Sequence, residues 1–80
     1  MLAKIYVTLK KGVLDPQGKA VQHSLESLGY NEVKDIRLGK YMEVLLDDMN
    51  GDEAEARIQQ MCEKLLANPV IEDYRFELIV

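Results

Sequence analysis

From Ala3 to Lys10 the chain alternates without a break. Ala3, Ile5, Val7 and Leu9 fall on one side, and Lys4, Tyr6, Thr8 and Lys10 on the other. Only an extended strand puts every second residue on one face, so this run reads as a strand with one buried and one wet face. The chain ends in a second alternation, with Tyr74, Phe76 and Leu78 facing one way and Arg75, Glu77 and Ile79 the other. In between, the period becomes helical. Val21, Leu25 and Leu28 make one apolar seam with Ala20 beside it, and Ala54, Ile58, Met61, Cys62, Leu65 and Leu66 make another. Strands that bracket two amphipathic helices predict an α+β sandwich, with both helices on one face of an antiparallel sheet. Residues 1–80 suffice for one such domain and leave no room for a second.

The helix ends are written in side chains. Asp15-Pro16 marks a start, because the carboxylate can accept from unpaired backbone amides and proline fits the first helical position. Gly29 marks the stop, with the left-handed backbone that glycine tolerates. Asn50 with Glu53 resembles a capping box at the second helix, and Asn68-Pro69 ends it.

Residues 33–46 leave two arrangements open. Ile36, Leu38, Met42, Val44 and Leu46 share even parity, while Val33, Asp35, Arg37, Tyr41, Glu43 and Leu45 share odd parity. A two-residue turn at Gly39-Lys40 would mix the faces, so parity argues against it. A three-residue loop, Gly39-Lys40-Tyr41, keeps them consistent and gives the ferredoxin-like order βαββαβ. So does one long strand bent at Gly39, which gives βαβαβ and leaves the far half free to pair with another subunit. Usual strand lengths favour the hairpin.

Function classes fall away in turn. A net charge of −4 removes the drive for non-specific nucleic-acid binding, and no apolar run is long enough to cross a membrane as a helix. The alternating N-terminus is unlike a signal peptide, and the single thiol suits a reducing cytoplasm. One cysteine and one histidine exclude an internal disulfide and argue against a structural zinc site. A core this small then needs oligomerisation, through the non-helical sheet face or by strand exchange across Gly39.

No residue set carries catalysis. His23 lies away from the first seam with no nucleophile or carboxylate signature, and Cys62 sits in the second stripe as a small hydrophobe. Asp47-Asp48, Asp52-Glu53 and Glu72-Asp73 lack calcium-loop spacing, and Lys10-Lys11-Gly12 lacks the glycines of a phosphate loop. The strongest functional candidate is Arg37-Leu38-Gly39-Lys40-Tyr41, two cations and an aromatic at a bend, the mix found at protein interfaces. Exposed ion pairs contribute only about 0–1 kcal/mol to a fold, so Arg37 and Lys40 are expected to serve docking more than stability.

Three segments give this plain background a character: Leu14-Asp15-Pro16-Gln17-Gly18, Arg37 through Glu43, and Glu63 through Tyr74. In this order and spacing, over about Tyr6 to Tyr74, the chain closely resembles the PurS family, the small subunit of phosphoribosylformylglycinamidine synthase. The resemblance implies a non-catalytic assembly subunit in purine biosynthesis. The full complex converts phosphoribosylformylglycinamide, ATP and glutamine into the amidine, glutamate, ADP and phosphate. It implies two partners, a glutaminase subunit and a synthetase subunit, between which this subunit bridges and assists ammonia transfer. ATP and Mg are expected on the synthetase subunit, with no cofactor on this chain, and the expected location is the cytoplasm. The expected partner contacts are Arg37, Lys40, Tyr41, Asp15 and Gln17, beside homodimerisation or higher assembly. The alternative is a small ligand-sensing or RNA-binding domain of similar topology, for which Tyr6 and Tyr41 could stack bases.

Overall fold

The computed structural model describes residues 1–80. The first alternation folds as strand β1, Leu2–Leu9, and the last as β3, Glu72–Ile79. Between them stand helix α1, Pro16–Ser27, strand β2, Gly39–Leu45, and helix α2, Gly51–Met61, which runs on into a five-residue π-helical turn, Cys62–Leu66. The class is the expected α+β, two helices with an antiparallel sheet, in its βαβαβ version. β1 is central and pairs antiparallel with both neighbours, so the sheet order is β2-β1-β3.

The hairpin favoured by strand length does not form. Gly39, Lys40 and Tyr41 lie inside β2, opposite Thr8, Val7 and Tyr6. Gly39 does not have the left-handed backbone found at Gly12 and Gly29. It is required for a different reason: a Cβ there would run into the Val7 carbonyl of the neighbouring strand. Residues 33–38 continue β2 backwards with no strand beside them. A hairpin would have put the fourth strand of a ferredoxin-like sheet on the outer edge of β2, and in the single chain that edge is bare.

The sealed core is thin. Ala3, Ile5 and Val7 of β1 are buried under Ala54, Ile58 and Cys62 of α2 and its continuation, with Ala67 closing one end. Each fully buried Val or Ile side chain contributes about 1.5–3 kcal/mol. Met42, Val44, Tyr74, Phe76 and Leu78 form a half-covered rim. The π-helical turn revises the second stripe. Its wider loop closes on a bond from the Ala67 amide to the Cys62 carbonyl, 3.0 Å, five residues back. That extra residue turns Leu65 outward, 83% exposed, and brings Ala67 in.

Helix α1 behaves differently from α2. Its seam is largely open in the single chain, with Val21 40% and Leu28 72% exposed. It lies beside residues 34–38 and not over the strands: Gln22 Nε2 donates to the Lys34 carbonyl at 3.1 Å, and Lys19 pairs with Asp35 at 3.9 Å. Helix and extended segment together make an arm that projects from the sheet. The molecule measures 49 × 25 × 14 Å with a radius of gyration of 16.1 Å. A compact chain of this length would have about 12 Å.

Candidate functional site

The three segments singled out in the sequence meet at one end of the sheet, where β1 ends and β2 and β3 begin. Asp15 is the pivot. Pro16 starts α1, and the Asp15 carboxylate caps it by accepting from the Gly18 amide at 2.9 Å. Its other oxygen accepts from the Leu38 amide, also at 2.9 Å, which ties the first segment to the second. These two backbone donors, helped by the Arg37 guanidinium, hold the Asp15 carboxyl below the ordinary carboxylate value. Gly18 is buried there because a Cβ would strike the Ile36 carbonyl and the Asp15 carboxylate.

Arg37 completes the base of the arm. One guanidinium nitrogen donates to both the Leu9 and Lys10 carbonyls, each at 2.8 Å, at the open end of β1. Lys40 links the second segment to the third through Glu72 at 3.7 Å. Glu72 in turn accepts from the Asn68 amide at 2.7 Å, and Asn68 Oδ1 accepts from the Val70 amide at 3.1 Å, so the Asn68-Pro69 turn is braced from both sides. The Tyr74 hydroxyl donates to Glu63 at 2.8 Å and closes the third segment on itself. That bond, then burial, raises the Tyr74 pKa.

Of the five expected contact residues, Asp15, Gln17, Arg37 and Lys40 are thus gathered at one end, lining adjoining shallow clefts with Thr8 and Glu72. Arg37 already has structural bonds, whereas Gln17 and most of the Lys40 side chain face solvent. Tyr41 stands apart on the sheet face opposite α2. There Tyr41, Tyr6 and Arg75 lie directly across from one another on β2, β1 and β3. The Tyr rings are 5.1 Å apart with a 46° tilt, and the Arg75 guanidinium sits 3.9 Å above Tyr6. The Tyr41 hydroxyl donates to Glu43 at 2.9 Å; desolvation and then this bond push its pKa up to about 12.

Glu72, Gly18 and Arg75 were missed as site residues. Glu72 read as a solvated acid because its partner Lys40 is 32 positions away along the chain. Alternation did place Arg75 on the face of Tyr6, a usable signal. Chemically, the end is a rigid polar platform. Both helix N-termini are occupied by their own caps, Asp15 on α1 and Asn50 on α2, so neither offers free amides to a phosphate. No three His, Cys, Asp or Glu side chains converge as a metal ligand set. Burial pushes the Cys62 thiol up, away from the reactive thiolate.

The family model for phosphoribosylformylglycinamidine (FGAM) synthase, PurS, matches residues 2–80. The chain belongs to the PurS family. It is 59% identical over 75 residues to the PurS subunit of phosphoribosylformylglycinamidine synthase from Bacillus subtilis, covering 94% of this chain and 88% of that one. The structure of PurS from Methanocaldococcus jannaschii is described as one of the subunits of formylglycinamide ribonucleotide amidotransferase in the purine biosynthetic pathway. It superimposes with a TM-score of 0.83 at 39% identity, covering 95% of this chain and 92% of that one. A chain in the structure of PurLQS from Thermotoga maritima gives 0.83 at 31% identity, with 99% of both chains covered.

Proposed function

We propose that this chain is the PurS subunit of a phosphoribosylformylglycinamidine synthase and serves it without catalysing any step itself. In this reading it bridges a glutaminase subunit and an ATP-dependent synthetase subunit and assists the passage of ammonia between them. ATP and Mg belong to the synthetase subunit, the protein works in the cytoplasm, and it acts as a homodimer or larger homo-oligomer. The observation that carries the reading is the convergence of the three family-like segments on one braced end, with Gln17 and Lys40 turned to solvent. Asp15 and Arg37 hold that end in shape, and Gln17, Lys40 and Tyr41 offer the contact groups. A Thermotoga maritima relative in an assembly described as PurLQS supports the multi-subunit setting.

The RNA-binding alternative weakens on one detail. Arg75 already lies over the Tyr6 ring, which a base would need for stacking, and the net charge is −4. A tagged chain should recover two large purine-synthesis proteins from a lysate. Recovery of neither would leave the sensing domain as the better reading. Reversal of Lys40 to Glu should leave the far-UV circular dichroism spectrum unchanged and abolish complementation of an auxotroph lacking this subunit. Full complementation would move the contact surface elsewhere.

A further inference from the structure

The sheet has a second bare edge. β3 pairs with β1 and has no strand on its outer side. We infer that this edge is a docking strand, to which a partner protein adds an extended segment that is apolar at every second residue and basic, acidic, basic at the alternate ones. The inference rests on the assembly-subunit reading above and names the surface and the chemistry by which a partner is held.

The hydrogen bonds fix which groups are on offer. The Lys10 amide donates to the Ile71 carbonyl at 2.8 Å. Bonded pairs in an antiparallel ladder recur at every second residue, so Thr8–Asp73, Tyr6–Arg75 and Lys4–Glu77 are the bonded pairs that follow. The other side of β1 agrees. There the Leu46 amide donates to the Met1 carbonyl at 2.8 Å, which gives the odd residues of β1 to β2. The amides and carbonyls of Tyr74, Phe76 and Leu78 therefore point outward, away from β1. The Glu72 amide is closed off by the Asn68 carbonyl at 2.7 Å, so the open row of amides begins after it.

No device guards this row. Natural edges are blunted by proline, lysine, a bulge or a very short strand. β3 has none of these: its eight residues run in unbroken register from Glu72 to Ile79. Such an edge is a template for another strand, in which main-chain bonds give affinity and alternate side chains give specificity. Those side chains describe the occupant. On the α2 face, Tyr74, Phe76 and Leu78 are half-buried at the rim of the core, and apolar residues on an added strand would extend that rim. On the opposite face Asp73, Arg75 and Glu77 are exposed and run negative, positive, negative. Opposite charges directly across a ladder are favourable and like charges are not, so the added strand runs basic, acidic, basic on that face.

Residue-resolved hydrogen exchange on the complex captured by a tagged chain tests this. The Tyr74, Phe76 and Leu78 amides should exchange freely in the chain alone and become protected in the complex. The Asp73, Arg75 and Glu77 amides, bonded to β1, should be slow in both. In parallel, Leu78→Pro removes one outward amide, whereas Leu78→Ala trims the same side chain and keeps it. The proline variant should capture the partners at least about tenfold more weakly than the alanine variant. Should Leu78→Pro lose its far-UV circular dichroism spectrum, the exchange pattern alone decides. Outward amides left unprotected in a captured complex, or equal capture by two folded Leu78 variants, overturn the docking edge and leave the assembly reading standing. Protection that appears in the chain alone as its concentration rises gives the edge to a second copy and overturns the partner segment. A chain that captures neither purine-synthesis protein overturns the assembly reading and the docking edge together.

Discussion

Asp15 shows how one side chain can set the posture of a quarter of the molecule. Its two oxygens serve two different segments, the first turn of α1 and the backbone at Leu38. Because the folded pKa lies below the ordinary 3.8, the carboxylate stabilises the fold at any pH above that value. The contribution is lost as pH falls through the lower folded value. Asp15→Asn should therefore melt below the parent at neutral pH, and the gap should close as the solution is acidified from about pH 6 to about pH 2. A gap that persists in acid would mean that the ionised form is not what matters. Tyr41 has the opposite sign. With its pKa raised to about 12, the neutral phenol is the form the fold prefers. That preference is complete below the ordinary value of 10 and disappears as pH rises through about 12. Ultraviolet titration of the four tyrosines should leave one to ionise near pH 12, and Glu43→Gln should bring it down. If none titrates so late, the Tyr41–Glu43 bond is not held in solution.

Among the elements, α2 is the one whose burial carries the fold. Ile58 is wholly buried against β1, while Leu65 only four residues past the end of α2 is 83% exposed. Ile58→Ala should cost about 2–5 kcal/mol, seen as a lower denaturation midpoint at unchanged slope. Leu65→Ala should leave the fold of the single chain intact, so that any loss it causes depends on protein concentration. The contrast exposes what sequence pattern can and cannot carry. Period and caps were legible: β1 and β3 from alternation, α1 from Asp15-Pro16 and Gly29, α2 from Asn50 and its apolar stripe. The π-helical turn was not, because Cys62 through Leu66 keep an apolar spacing that an ordinary helix fits equally well. The hairpin expectation failed for another physical reason. Parity allowed both a loop and a straight strand at Gly39, and the choice depends on the close approach of the Val7 carbonyl, which leaves no trace in local pattern. The site was legible as segments and not as bonds. Asp15, Arg37 and Lys40 stood out, but their partners Leu38, Leu9 and Glu72 lie 23, 28 and 32 positions away.

For the whole molecule, shape and core point the same way. Only 9 of 80 residues are buried, and a chain extended to 49 Å keeps little apolar surface from water by itself. If copies stabilise one another, melting temperature must rise with protein concentration, because association draws on the folded form alone. A series from about 5 to about 500 μM should show that rise. A flat series with a mass of 9.1 kDa would mean that the thin core suffices. The central place of β1 has a consequence in time as well as in space. Its neighbours are a strand from the middle of the chain and the last strand, with Leu2 opposite Ile79. β1 is therefore synthesised well before β3, and the sheet cannot close until β3 follows. Until then one edge of β1 stays unpaired, although β2 and α2, which precede β3 in the chain, are already made. A pairing this distant in sequence slows the search for the native state. Closure of the sheet during translation is therefore expected to wait on β3, with one edge of β1 open to pairing with another strand in that interval.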